Sequence, residues 1–206
     1  MSSNERDRSM AATELAAIEF VPSHRYHIDN PQPQQAKQLP SDTLQAGSEP
    51  HHPVASREDV RRHTLRLLCQ ARHSLCLYSP DLEPWLYDED GVIQASKCFL
   101  LGHRRNRLRI LLADPTLAIR QSHRLLALAR RLTSNLQIRT LNPEYPAQSA
   151  AVLVVDHCGL LVRPGPEHTT GYALYQSPGR ARAIQRQFDS AWERSLSHPD
   201  LRSFLL

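Results

Sequence analysis

Short apolar segments alternate with stretches of helical spacing through most of this chain, and this alternation limits the folds open to it. The segments are too short and too rich in branched residues to be helices, so they are predicted to be strands. They span 74–79, 107–113, 136–141, 150–155, 160–162 and 172–175. Helical spacing is found at 57–71, 92–101, 115–132 and 178–196. Strands alternating with helices predict an α/β sandwich, and the tight turn at 156–159 predicts an antiparallel pair within it.

Helix boundaries are marked by residues that satisfy unpaired backbone groups. Ser56 and Asp59 have the spacing of a helix start, because the hydroxyl and the carboxylate both accept backbone N–H groups. Asp114 followed by Pro115 is a second start signal, and Gly102 is a typical helix end. The spacing after Pro115 predicts one continuous helix over 115–132.

Residues 1–55 do not follow the pattern of the rest of the chain. Prolines at 22, 31, 33, 40, 50 and 53 and a glutamine-rich stretch interrupt any periodicity. We therefore predict a largely disordered Pro/Gln-rich tail over 1–55 and one α/β domain over 56–206. The chain has no apolar run near the roughly 20 residues of a membrane span and no apolar signal core. These features predict a soluble, cytoplasmic protein without a membrane span.

Four cysteines, at 69, 76, 98 and 158, are too few and too scattered for a disulfide framework. Cys69, Cys76 and Cys98 each neighbour leucine or phenylalanine, and we expect small buried thiols. The sequence has no metal-ligand spacing motif and no glycine-rich phosphate loop, so no metal and no cofactor are predicted.

Charge is unevenly distributed along the chain. Residues 1–56 hold four basic and seven acidic side chains, a net charge of −3. Because the whole chain has a net charge of +4, residues 57–206 carry a net charge of +7. Ten basic residues and one acidic residue lie between Lys97 and Arg139. Arginine suits bidentate contact with phosphate or carboxylate. The candidate residues for an anionic partner are Arg104, Arg105, Arg120, Arg124 and Arg131, with a solvated face and pairing with the acidic tail as alternatives.

An acidic and aromatic segment follows the first strand of the predicted domain. It contains Asp81, Glu83, Asp88, Glu89 and Asp90 together with Trp85 and Tyr87. The carboxyl end of a strand is where α/β proteins often bind ligands. The segment is either a partner-binding loop or a solvated loop with Trp85 packed inward.

Three local features, in their order along the chain, resemble one half of the phospholipase D superfamily. Leu75–Pro80 is similar to the first core strand, which ends where the family's substrate pocket opens. Ala150–Asp156 with Gly159–Val162 resembles the strand, turn and strand that carry the His-x-Lys-x4-Asp signature. Phe188 and Trp192 match the Phe-x3-Trp of the family's closing helix. The resemblance implies a phospholipase D-like α/β domain and, since single-half members pair, a homodimer.

The chain departs from that signature at its catalytic positions. If Asp156 is the signature aspartate, the nucleophilic histidine is replaced by Ser149 and the lysine by Ala151. Serine without a base is a poor nucleophile, and alanine supplies no charge to a phosphoryl oxygen. The family's following Gly-Ser is replaced by Arg163 and Pro164.

The sequence therefore favours a non-catalytic phospholipase D-like binding or regulatory module that uses an arginine-rich face. One alternative is a divergent phosphodiesterase or nuclease that uses His157 or His168, with Ser149 and Asp156 as further weak catalytic candidates. The other alternative is a nucleic-acid-binding protein. The expected partners are a nucleic acid or an acidic protein.

Overall fold

Seven strands form one mixed sheet in the computed structural model, which describes residues 50–144, 150–164, 169–198 and 201. The strands are β1 (His52–Val54), β2 (Ser74–Ser79), β3 (Arg107–Leu112), β4 (Leu136–Thr140), β5 (Ala150–Val155), β6 (Gly159–Pro164) and β7 (Gly171–Leu174). The helices are α1 (Arg57–Gln70), α2 (Pro84–Tyr87), α3 (Asp90–Gly102), α4 (Thr116–Arg120), α5 (Arg124–Arg131) and α6 (Pro178–Glu193). The predicted α/β sandwich is confirmed.

The sheet order is β1-β7-β6-β5-β2-β3-β4. β2, β3 and β4 are parallel, whereas β5 runs antiparallel to β2 and continues into an antiparallel series to β1. The parallel strands give the sheet two distinct ends. We call the end where β2, β3 and β4 begin the amino end, and the opposite end the carboxyl end.

Alternate residues of the strands fill two separate cores, as the period of a strand requires. Leu75, Leu77 and Leu153 belong to the core beneath α1, α3 and α5. Cys76, Val154 and their neighbours belong to the core beneath α6. The sheet is thus covered by helices on both faces, which explains why its central strands are nearly all apolar.

The capping prediction at the start of α1 is confirmed. The Ser56 hydroxyl accepts the Asp59 N–H at 3.1 Å, and the Asp59 carboxylate accepts the Ala55 N–H at 3.3 Å. The strand β1 was not predicted, because Pro53 lies within it and its residues were assigned to the tail. Proline is tolerated there because β1 is an edge strand that pairs only with β7.

The prediction of one helix over 115–132 is wrong. The chain forms α4 and α5, separated by a turn in which Ser122 has a φ of 52°. The His123 ring then accepts the Leu125 N–H at 3.1 Å and caps α5, a role that the helical spacing alone does not reveal. Burial lowers the pKa of His123, which keeps the ring neutral and able to accept this bond.

Two of the expected buried thiols are also exposed. Cys76 is buried, as predicted, but Cys69 and Cys98 are exposed on α1 and α3. Neighbouring leucines in a helix point to the core, whereas a cysteine one position away can face solvent. Among the described residues, no helix is both long and apolar enough to cross a membrane.

Phe188 and Trp192 dock α6 on the sheet, as predicted. Their rings stack at 5.7 Å, and they retain 5% and 7% of their exposed surface. The guanidinium of Arg109 lies 5.5 Å from the Trp192 ring and that of Arg139 lies 4.5 Å from it. Trp192 therefore contributes both buried apolar area and cation–π contacts.

Truncation of this aromatic side chain is expected to destabilise the domain strongly. Trp192→Ala should lower the free energy of unfolding by about 3–5 kcal/mol, because it leaves a cavity and removes the ring contacts. Gln187→Ala, at an exposed position of α6, is the matched control and should change it by less than about 0.5 kcal/mol. Equal denaturation midpoints for the Trp192 and Gln187 variants would show that α6 does not depend on this contact.

Candidate functional site

The region where a phospholipase D-like pocket is expected lies at the carboxyl end of β2. Ser79 is the last residue of β2 and is fully buried. Ala151 at the start of β5 is in register with Arg163 of β6, so both side chains lie on the same face of the sheet. Position 151, which the resemblance assigns to the lysine, thus has a buried arginine as its cross-strand neighbour.

A buried ion pair occupies this region. Arg163 donates from Nη1 to Glu83 Oε1 at 2.6 Å and from Nη2 to Glu83 Oε2 at 2.5 Å. The two side chains expose only 1% and 5% of their surface. Ser79 also donates its hydroxyl proton to Glu83 at 3.2 Å, and the Tyr87 oxygen lies 3.5 Å from Arg163. The carboxylate and the guanidinium therefore satisfy each other without solvent.

The turn between β2 and α2 brings Glu83 into this position. Leu82 and Glu83 have positive φ values of 67° and 29°, which non-glycine residues rarely adopt. The Ser79 hydroxyl accepts the Leu82 N–H at 3.1 Å and holds the turn. Burial alone would lower the pKa of Arg163, but Tyr87 and Glu83 hold it above its usual value, so the guanidinium stays charged. Burial raises the pKa of Tyr87.

The described polar side chains around the pair are bonded to one another. The Glu83 carboxylate is fully engaged as an acceptor, and the Ser79 hydroxyl both donates and accepts within the turn. Ser149 and His168, two of the sequence-predicted catalytic candidates, lie outside the described residues. Among the described residues, no group of three or more histidine, cysteine, aspartate or glutamate side chains is arranged to hold a metal ion.

Asp156 and His157, the other two candidates, lie at the opposite end of the sheet from Ala151. They occupy the turn between β5 and β6, with φ values of 49° and 59° in the left-handed region that tight turns use. Asp156 lies five positions after Ala151, which corresponds to about 16 Å along a strand. The structure therefore does not bring Asp156 and His157 together with the buried ion pair.

The Asp156 carboxylate has a different set of contacts. It accepts the backbone N–H groups of Arg72, His73 and Ser74 at 2.6, 2.7 and 2.8 Å. These bonds attach the loop between α1 and β2 to the β5–β6 turn. The His157 side chain is exposed at the tip of that turn.

In the acidic segment after β2, Trp85 packs against the core, as one of the two alternatives predicted, and several carboxylates pair with arginines. Asp88 accepts from Arg124 Nε at 3.0 Å, and Asp90 contacts the same guanidinium. Glu89 pairs with Arg61, and Glu83 is buried with Arg163. The acidic side chains at the carboxyl end are thus largely matched by arginines of neighbouring elements.

The single arginine face predicted from the sequence is divided by the fold. Arg120 and Arg124 lie at the carboxyl end, because α4 and the start of α5 follow β3. Arg131 lies at the other end of α5, where the chain enters β4 at the amino end. Arg104 and Arg105 are also at the amino end, in the loop before β3. The break between α4 and α5 and the pairing of Arg124 with Asp88 and Asp90 explain the difference.

The amino end is strongly basic. The loops before β2, β3 and β4 all meet there, and they present exposed arginines at 72, 104, 105, 107 and 131. The start of α6 joins them, since the Ser177 N–H donates to the Cys158 carbonyl in the β5–β6 turn at 2.8 Å, and Arg180 follows. Of the acidic residues that the structure describes, only Asp156 lies at this end, and its carboxylate already accepts three backbone N–H groups.

Arg72 was not among the sequence-predicted candidates, and neither was the Arg163–Glu83 pair. Arg72 follows α1 by two residues, and only the sheet topology brings it to the same end of the sheet as Arg105 and Arg131. The burial of Arg163 could have been predicted from the sequence, because this residue follows Leu160, Leu161 and Val162 in an otherwise apolar strand. A charge within a buried strand indicates a buried partner of opposite charge.

The mixed sheet and its two helical layers form an α/β domain whose fold resembles that of a phospholipase D family member. The chain belongs to the family described as Domain of unknown function (DUF7931), whose model matches residues 56–204. No curated protein matches the chain.

Two solved structures illustrate the fold. TrmBL2, an archaeal chromatin protein described as having a novel mode of DNA binding, is 14% identical with a TM-score of 0.55. That match covers 75% of this chain and only 57% of TrmBL2. Nuc of Salmonella typhimurium, a phospholipase D family member, is 16% identical with a TM-score of 0.50, over 73% of this chain and 97% of Nuc. At these identities the likeness concerns the fold.

Separating the two members of the buried pair is expected to destabilise the domain. Arg163→Met leaves an unpaired buried carboxylate and should cost about 3–5 kcal/mol in the free energy of unfolding. Glu83→Leu should have a cost of the same order, and the double variant should recover most of the loss, because no unpaired charge remains. Chemical denaturation of the four proteins measures the coupling.

The Arg124–Asp90 contact provides the control for this cycle. Arg124→Met removes an exposed ion pair, and its effect should be much smaller than that of Arg163→Met. Strictly additive effects of Arg163→Met and Glu83→Leu would contradict the role given to the pair.

Proposed function

We propose that this protein is a non-catalytic phospholipase D-like module that binds the phosphate backbone of a nucleic-acid duplex through its amino end. The observation that carries the proposal is the excess of exposed arginines at that end, opposed among the described residues only by Asp156. Such a surface creates a positive potential that attracts polyanions.

The geometry of the arginines supports contact with a backbone. Arg72, Arg104 and Arg105 lie in the loops before β2 and β3, and Arg131 ends α5 ahead of β4, so all four lie at the end where these adjacent strands begin. None of these four side chains makes an ion pair with a described carboxylate, so their charges are available. The exposed rings that the structure describes in these loops are the imidazoles of His73 and His103, and no phenylalanine, tyrosine or tryptophan there offers a larger stacking surface for bases. Contacts to phosphates without base contacts favour sequence-independent binding to a duplex.

The sequence and the buried pair together support the absence of phospholipase D chemistry. Ser149 and Ala151 replace the two charged groups of the signature, and the Arg163–Glu83 pair occupies the adjoining space. The fold of TrmBL2, which is described as binding DNA, supports the view that such a domain can serve nucleic-acid binding.

Purified protein is expected not to hydrolyse phosphodiesters by the family mechanism. The assay is release of nitrophenol from bis(p-nitrophenyl) phosphate, together with cleavage of linear DNA monitored on gels. Turnover that disappears in Ser149→Ala, His157→Ala or His168→Ala would overturn the non-catalytic part of the proposal. Turnover that survives in all three variants would also count against the proposal, unless it is lost on further purification of the wild-type protein.

Binding to duplex DNA should be strongly salt-dependent. With four arginines on phosphates, the slope of log affinity against log salt concentration is expected to be about −3.6, at roughly −0.9 for each contact. Arg104→Glu with Arg131→Glu should weaken binding at least about tenfold at low salt and reduce the slope to about −1.8. Fluorescence anisotropy with a labelled duplex of random sequence measures both quantities.

The matched control reverses the same number of charges at the other end of the sheet. Arg120 and Arg194 are exposed, and Arg120→Glu with Arg194→Glu changes the net charge equally. This control should retain most of the affinity and the steeper slope. Equal losses in the two double variants would mean that net charge alone drives binding. No binding at tens of micromolar wild-type protein would refute the nucleic-acid proposal.

A further inference from the structure

A groove runs between α1 and α3 and opens at the amino end of the sheet. Its volume is about 990 Å³. Leu68 and Ala71 line it from the side of α1, and Ala95 and Phe99 line it from α3. The groove lies outside the buried ion pair and on the far side of the sheet from α6. We propose that it binds an acidic amphipathic helical segment of a partner protein.

The shape of the groove fits a length of polypeptide. Its lining extends along α3 from Gly91 to Gly102, and this span corresponds to about 16 Å of helix. A ligand helix of about three turns has the same length. A side chain added at Gly102 would have no neighbouring atom closer than 3.9 Å, so the end of the groove is open. Leu101 next to it is 69% exposed and enlarges the apolar surface.

The charges at the mouth of the groove select the partner. Arg72, His73, His103 and Arg105 surround it, and no aspartate or glutamate lines it. Apolar side chains along a floor and cations at the rim complement a helix with leucines on one face and carboxylates beside them. The cationic rim belongs to the basic amino end, where it could contact phosphates. Phosphate binding would not require the apolar side chains of the floor, so the floor indicates a second kind of ligand.

A peptide fits the floor better than a nucleobase does. Phe99 of the lining retains 6% of its surface, so it offers no exposed ring for stacking, and the imidazoles of His73 and His103 lie at the rim of the groove. The remaining apolar lining consists of aliphatic side chains and thiols, against which leucine side chains pack well. A single-stranded oligonucleotide is therefore the rival occupant that the experiment must test.

The reactivity of two exposed cysteines can show whether a ligand occupies the groove. Cys69 of α1 and Cys98 of α3 both line the groove, whereas Cys158 lies in the β5–β6 turn. The probe is a synthetic peptide of about 14 residues with leucine at helical spacing and glutamate elsewhere. Two further peptides serve as controls, one with the leucines scrambled and one with lysine in place of glutamate.

Iodoacetamide labelling followed by mass spectrometry measures binding at this site. At a peptide concentration ten times its Kd, the alkylation rates of Cys69 and Cys98 should fall about tenfold, because the fraction of free protein falls by that factor. The rate at Cys158 should not change. Neither control peptide should protect Cys69 or Cys98. Protection by the lysine peptide, or by an oligonucleotide but not by the acidic peptide, would overturn the proposal.

Variants separate this site from the nucleic-acid surface. Gln94 is exposed and lines the groove, and Gln94→Trp should abolish peptide binding by filling it. Gln187→Trp on α6 is the matched control and should bind the peptide normally. Gln94→Trp should leave duplex DNA binding intact, and Arg104→Glu with Arg131→Glu should leave peptide binding intact, because neither arginine lines the groove. Undiminished peptide binding by Gln94→Trp would contradict the assignment.

Discussion

At the carboxyl end of the sheet, the structure depends on the buried ion pair between Arg163 and Glu83. A guanidinium and a carboxylate can be buried together when each provides the hydrogen-bond partners of the other. Removing either charge from water is costly, so the two groups must meet with good geometry. The chain meets that requirement with two short hydrogen bonds and a turn that adopts positive φ values at Leu82 and Glu83. The turn after β2 is thereby joined to β6 through the two buried side chains.

The arrangement of charge follows from the direction of the strands. Helices α1 and α3 begin at the carboxyl end of the sheet, and α6 ends there. Most of the described acidic residues lie at this end, and several of them form ion pairs with arginines. The loops before β2, β3 and β4 meet at the amino end and carry arginines without matching acids. A net charge of +4 therefore describes the chain poorly, because the excess is concentrated at one end. Binding of polyanions depends on this local excess.

Strand and helix periodicity could be predicted from the sequence wherever a segment is buried on one face or on both. The core strands, the Ser56 cap and the docking of Phe188 and Trp192 follow from such local patterns. The break between α4 and α5 at Ser122 could not be predicted from the sequence, because the helical spacing of leucines continues across it.

The candidate site was less accessible to sequence analysis, since it depends on which loops become neighbours. Arg120 and Arg131 are close in sequence and lie at opposite ends of the sheet, whereas Arg72 and Arg131 are distant in sequence and share one end. Asp156 matches a signature position, yet its carboxylate accepts backbone N–H groups of residues more than 80 positions away. Contacts of this range require the topology.

The most direct test of the account is a footprint of arginine reactivity toward a dicarbonyl reagent, with and without saturating duplex DNA, read by mass spectrometry. The account predicts that Arg72, Arg104, Arg105 and Arg131 become protected while Arg120 keeps its rate. Protection of Arg120 to the same degree, or unchanged rates at the amino end while DNA is demonstrably bound, would contradict it.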